Sequence, residues 1–152
     1  MPAPSVSTCL WFDDQAEPAA TLYCSLFDDA KITNVFRQQG DAQNRAFTVA
    51  FTLMGQEYWA MNGGPYYKLS PAASITVYVD TQAEVDHFWN ALLDGGTESR
   101  CGWLTDRFGL SWQIIPRALP RLLQTDKTGK VMQAMMGMVK LDIAALEGAA
   151  NA

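Results

Sequence analysis

The chain has 152 residues, 49% hydrophobic and 18% charged, which is enough to bury one core and too apolar for a disordered segment. A formal net charge of −5, with no basic stripe, excludes nucleic acid as a partner, because polyanion binding needs clustered cations. Three sparse cysteines, Cys9, Cys24 and Cys101, lead us to expect a reduced cytoplasmic protein with small buried thiols.

The start, Met1-Pro2-Ala3-Pro4, lacks the basic and apolar pattern of a signal peptide, and no apolar stretch reaches membrane-spanning length. No membrane partner is expected.

The first strand alternates. Val6, Thr8, Leu10 and Phe12 fall on one face, and Ser7, Cys9 and Trp11 on the other. Asp14-x-x-Glu17 then fits a capping box, and Ala19, Leu22, Tyr23 and Leu26 form the buried stripe of a helix. Strands are predicted over 32–37, 47–54 and 56–62, with Phe47, Val49, Phe51 and Leu53 on one face of the second. Met54-Gly55-Gln56 reads as a tight hairpin, the loop 38–45 as polar and mobile, and Gly63-Gly64-Pro65 as the start of a linker.

The pattern then repeats. Ser74 to Glu84 matches Ser7 to Glu17 in step, sharing Ser, Asp, Gln, Ala and Glu. Ile75, Val77 and Val79 oppose Ser74, Thr76 and Tyr78. Thr81-x-x-Glu84 is a second capping box, and Val85, Phe88, Trp89 and Leu92 form a second helical stripe. Strands are predicted over 97–104 and 110–115, joined by a turn at Asp106-Arg107-Phe108-Gly109 that is expected to be solvated. Beyond Pro116, helices are predicted over 119–124 and 130–140, with Asp142 capping a last turn. This tail has no repeat partner and is expected to cover a sheet or a dimer surface.

These features give one α+β domain over 1–152, with a first βαβββ unit at 5–62, a second at 73–116 and a helical extension at 117–152. Paired βαβββ units resemble the vicinal oxygen chelate superfamily of glyoxalases, bleomycin and fosfomycin resistance proteins and extradiol dioxygenases. The words Cys9-Leu10-Trp11-Phe12-Asp13, Met61-Asn62-Gly63-Gly64-Pro65 and Cys101 to Pro116 resemble its PhnB-like branch, as does the tail around Val131-Met132-Gln133-Ala134-Met135. That branch is often labelled 3-demethylubiquinone-9 3-methyltransferase. The resemblance implies a curved mixed sheet around a cleft, the glyoxalase/bleomycin resistance-like fold, and a homodimer. The label itself finds no support in the residues, since Gly63-Gly64 precedes a proline and a loop rather than a helix.

By the same resemblance, the superfamily's metal ligands fall at Ser7, about Trp59, Ser74 and Gln113. Serine hydroxyls are poor ligands for such ions and tryptophan cannot ligate, so only Gln113 keeps donor chemistry. The single histidine, His87, lies beside a helical stripe and is expected at the surface. No metal and no cofactor are expected. What remains on the concave face is Ser7, Cys9, Trp11, Trp59, Ser74, Thr76, Tyr78 and Gln113, a lining suited to a small, mostly apolar or aromatic molecule. Either these aromatics fill the cleft themselves or they receive a ligand. No catalytic residue is identified: Glu57 is the one carboxylate near this face, and Cys9 has no histidine to activate it. Two functions follow. One is a metal-free small-molecule binder; the other is a metal-dependent lyase, isomerase or transferase using Gln113 in an unusual ligand set.

Overall fold

The computed structural model describes residues 2–152. These divide into two compact units, residues 2–69 and 70–152. Each contains a four-stranded mixed sheet.

The first unit runs β1 (Thr8–Phe12), α1 (Ala16–Leu26), β2 (Ala30–Arg37), β3 (Ala46–Leu53) and β4 (Gln56–Asn62). Its sheet has the order β1-β4-β3-β2, with β1 parallel to β4 and the other pairs antiparallel. Leu10, Phe12, Val49, Phe51, Leu53 and Ala60 are buried on the side that α1 covers with Ala16, Ala19, Ala20 and Tyr23. Each large side chain buried there contributes about 1.5–3 kcal/mol. Val6 lies outside this core at 88% exposure, so β1 begins later than the alternating pattern predicts.

The β3–β4 hairpin turns on Met54 and Gly55, whose φ values of 48° and 85° match the twist of a two-residue turn. One expectation fails in β3. Phe36 pairs with Thr48 and Arg37 with Ala46, so Phe47 is the extra residue of a β-bulge. The bulge shifts the side-chain parity. Ala46 is buried in the position the pattern assigned to Phe47, while Phe47 turns out to meet Phe36 edge-on at 6.5 Å.

The first helix is not capped as predicted. Asp14 makes no capping box, and the N-cap residue Gln15 supplies no side-chain bond. Asn62, at the end of β4, accepts the Ala16 N–H at 2.8 Å and donates to the Ala46 carbonyl at 2.9 Å. One amide thereby fixes the start of α1 against two strands.

The second unit runs β5 (Ser74–Val79), α2 (Gln82–Leu93), β6 (Thr97–Glu98), β7 (Trp103–Thr105) and β8 (Ser111–Pro116), then α3 (Ala118–Thr125), α4 (Lys130–Met136) and α5 (Ile143–Ala150). The sheet order is β5-β8-β7-β6, with β5 parallel to β8. Thr81 and Glu84 form the expected capping box of α2.

The strand predicted over 97–104 is broken into β6 and β7. Cys101 and Gly102 take φ values of 60° and 86° in the break, and their N–H groups donate to Met138 and Val139 at 2.9 and 2.8 Å. A Cβ on Gly102 would press on Leu141 and the Ile114 carbonyl. The break is therefore where the C-terminal segment docks.

That segment builds a core of its own kind. Ile115, Leu119, Val131, Leu141 and Leu146 form one buried cluster, with Leu122, Leu123, Met135 and Met138 packed around it. Gln82 of α2 holds it in place, donating to the Leu141 carbonyl at 3.1 Å and accepting from the Ile143 N–H at 2.9 Å. The segment 117–152 thus contributes Leu119, Val131, Leu141 and Leu146 to the second unit's interior. Among the described residues, no helix is long and apolar enough to cross a membrane.

Candidate functional site

Register sorts the sheet faces residue by residue. In the first unit Cys9 lies opposite Trp59, which lies opposite Ala50; Trp11 lies opposite Met61, which lies opposite Thr48. These residues share the face turned away from Phe51 and α1. Trp11, Trp59, Met61, Ala50 and Thr48 are half-buried, and Cys9 is exposed. Ser7 precedes β1 and is exposed. Glu57 pairs with Thr52, placing this exposed carboxylate on Trp59's face near the hairpin end.

Trp11 is held on three sides. Its indole N–H donates to the Gly64 carbonyl at 3.0 Å, and Tyr67 meets its ring edge-on at 4.9 Å. The ring lies so close over Gly63 that any Cβ there would fall inside the indole. Gly63 and Gly64 also continue the β1 pairing, donating to the Phe12 and Asp13 carbonyls at 2.9 and 3.2 Å. The glycine pair is thus a seat for an aromatic ring, and a turn rather than a helix follows it.

In the second unit Ser74, Thr76 and Tyr78 lie on one face of β5, paired with Ser111, Gln113 and Ile115 of β8. The Gln113 amide donates to the Ser74 hydroxyl at 3.0 Å. Ser74, Thr76 and Gln113 are half-buried, and Tyr78 is 54% exposed. Trp103, Thr105 and Ser111 share this face, a set the sequence reading missed. The alternation of Ser111 with Gln113 was the available signal, but the broken strand hid the register of Trp103.

The donor set does not fit a superfamily metal. Ser7 and Trp59 in the first unit, and Ser74 and Gln113 in the second, offer hydroxyls, an indole and one amide whose N–H₂ is already bonded to Ser74. Among the described residues, no three His, Cys, Asp or Glu side chains gather where an ion would sit. His87 is exposed on α2, edge-on to Phe88 at 4.9 Å.

Two further expectations need correction. The cysteines are not buried: Cys9 is exposed, and Cys24 and Cys101 are intermediate. What burial there is pushes the Cys9 and Cys24 thiols up, which disfavours the thiolate a nucleophile requires. Asp106 is not solvated. It is 3% exposed and accepts the N–H groups of Phe108 and Leu110 at 2.8 and 3.0 Å and the Trp112 indole at 2.9 Å.

The loop predicted to be mobile is organised around Asp41. Its carboxylate accepts the N–H groups of Gln43 and Arg45, both at 3.0 Å, which holds it below the usual carboxylate range. With Asp13, Asp14, Phe47 and Asn62, this loop borders a cavity of about 370 Å³ in the first unit.

Comparison with known proteins places this geometry. The family model described as 3-demethylubiquinone-9 3-methyltransferase matches residues 4–115. A Bacillus cereus PhnB protein carrying that label is 28% identical, over 74% of this chain and 99% of its own, with a TM-score of 0.69. The fosfomycin resistance protein FosX of Listeria monocytogenes, solved with Mn(II), is 14% identical over 81% of this chain and 99% of its own, with a TM-score of 0.57. A glyoxalase/bleomycin resistance protein from Albidiferax ferrireducens is 13% identical over 73% and 96%, with a TM-score of 0.50. These last two show the fold alone. None of the curated proteins matches.

Proposed function

This chain belongs to the family described as 3-demethylubiquinone-9 3-methyltransferase, within the glyoxalase/bleomycin resistance superfamily, and we propose that it binds a small, mostly apolar or aromatic molecule without a bridging divalent ion. The observation that carries this reading is the register of β1 on β4. It sets Trp59 beside Cys9 and Trp11 beside Met61 on one partly open face that has no α-helix of its own unit upon it. Rings held in place and half-exposed give contact area at little entropic cost. On the second unit's own sheet, the neutral groups at Ser74, Thr76, Tyr78 and Gln113 share a face that offers a few uncharged polar contacts, the kind small-molecule sites use.

A metal-dependent lyase, isomerase or transferase is the weaker reading, because the hydroxyl and indole groups at the ligand positions are unsuited to an ion. Methyl transfer draws no support from Gly63 and Gly64, which seat Trp11. The same proposal takes the working form to be a cytoplasmic homodimer.

The test is a panel of small aromatic molecules read by tryptophan fluorescence and thermal shift on the full chain. A saturable response that is weakened in Trp59→Ala supports the reading. No response from any compound overturns it. A stabilisation that appears only on adding Zn(II), Ni(II) or Mn(II) moves the function to the metal-dependent class.

A further inference from the structure

Of the five asparagines in the chain, only Asn62 is followed by glycine. An Asn-Gly pair is the arrangement most prone to lose its side-chain ammonia. Without a Cβ, the glycine nitrogen meets little hindrance as it approaches the asparagine side chain.

The fold needs both members of this pair. The Asn62 amide accepts the Ala16 N–H at 2.8 Å and donates to the Ala46 carbonyl at 2.9 Å, so it must accept and donate at once, which a carboxylate cannot do. Gly63 lies under the Trp11 indole, where a Cβ would fall inside the ring. The same contacts shield the pair they require. Both ends of the side-chain amide are engaged. The Gly63 N–H, which must give up its proton to attack, donates to the Phe12 carbonyl at 2.9 Å. Asn62 is half-buried, and with Phe12 it forms the last pair of the β1–β4 ladder. The shield therefore opens when the ends of two strands part, without loss of the whole core.

We propose that Asn62 is a site of spontaneous deamidation, held inert while β1 and β4 are paired and released when that end of the sheet opens. In the open chain the Gly63 nitrogen attacks the Asn62 side-chain carbonyl carbon and loses its proton to solvent. The bond from that carbon to the amide nitrogen breaks, and the nitrogen takes a proton and leaves as ammonia. Water then opens the succinimide ring at either carbonyl, giving aspartate or isoaspartate. One water enters and one ammonia departs, and nothing is oxidised or reduced.

Neither product restores the shield. Aspartate sets an oxygen without a proton against the Ala46 carbonyl. Isoaspartate lengthens the main chain by one carbon and disrupts the Phe12–Asn62 pairing. The reaction runs one way, so it marks chains that have opened, whatever the sheet faces bind.

The test uses the full chain in mildly alkaline buffer, either folded or held in urea. Trypsin releases residues 46–68, in which Asn62 is the sole asparagine. Mass spectrometry reads the conversion of amide to acid, and fragmentation places it at residue 62. Conversion at Asn62 is at least about a hundredfold slower in the folded chain than in urea. In urea it outpaces Asn34 and Asn90, and Gly63→Ala slows it about tenfold, a comparison that requires no folding. After dilution from urea, chains that fail to regain native tryptophan fluorescence are enriched in the converted residue.

The inference is overturned if folded and urea-held chains convert at rates within about tenfold of each other. It is also overturned if Asn62 converts no faster than Asn34 in urea, or if refolded and unrefolded chains carry the converted residue equally.

Discussion

The Trp112 indole N–H donates to the Asp106 carboxylate at 2.9 Å, and both side chains are buried, Trp112 at 0% exposure and Asp106 at 3%. The other carboxylate oxygen takes two backbone N–H groups of the β7–β8 turn, from Phe108 and Leu110. A single acid therefore shapes the hairpin and pins the largest ring of the second core. Asp106→Ala removes the acceptor of three buried donors and lowers the unfolding free energy by about 3 kcal/mol. Asp106→Asn keeps one carbonyl oxygen for the turn and costs less. Urea unfolding of the two variants checks the order.

Gly63 and Trp11 are a matched pair of a different kind. The indole occupies the space of a Cβ at Gly63. Gly63→Ala forces the ring away from the Gly64 carbonyl and costs about 1–3 kcal/mol, the usual range for overpacking. Removing the ring first removes the clash, so in Trp11→Ala the same glycine change costs little. A double-mutant cycle by denaturation measures this coupling, and additive effects contradict it.

Asp126 predicts a pH response confined to the turn between α3 and α4. The Thr128 hydroxyl at 2.7 Å, then the Val131 and Thr128 N–H groups, lower its carboxyl from 3.8 to about 2. A depressed folded value means that the contribution is fully present above the unfolded value and is lost as pH falls through about 2. The Thr128 and Val131 amide signals therefore titrate with a midpoint near 2 rather than 3.8, and Asp126→Asn abolishes the titration. A midpoint near 3.8 removes the explanation.

Alternation and capping chemistry are local signals, and they served where the structure is local. Period-two patterning placed Cys9 with Trp11, and Ser74 with Thr76, on shared faces, and β-pairing agrees. The Thr81–Glu84 box was legible because its two members sit one turn apart. The cap of α1 was not, because Asn62 reaches Ala16 from 46 residues away. Phe47 was misplaced because a bulge shifts parity without a marker in the residues themselves. The row that includes Trp103 and Thr105 escaped notice for a similar reason. Its register depends on a strand break that the C-terminal segment stabilises from outside the repeat.

Leu141 and Leu146, both at 0% exposure, belong to the same buried cluster as Ile115 of β8. This ties the order of folding to the order of synthesis. All strands of the first sheet exist once the ribosome has passed Asn62, so that sheet can close early. The second must wait with Ile115 uncovered until Leu146 emerges. During that interval the nascent chain leaves Ile115 and Leu119 without their covering leucines, and a chaperone that shields apolar segments would engage it there.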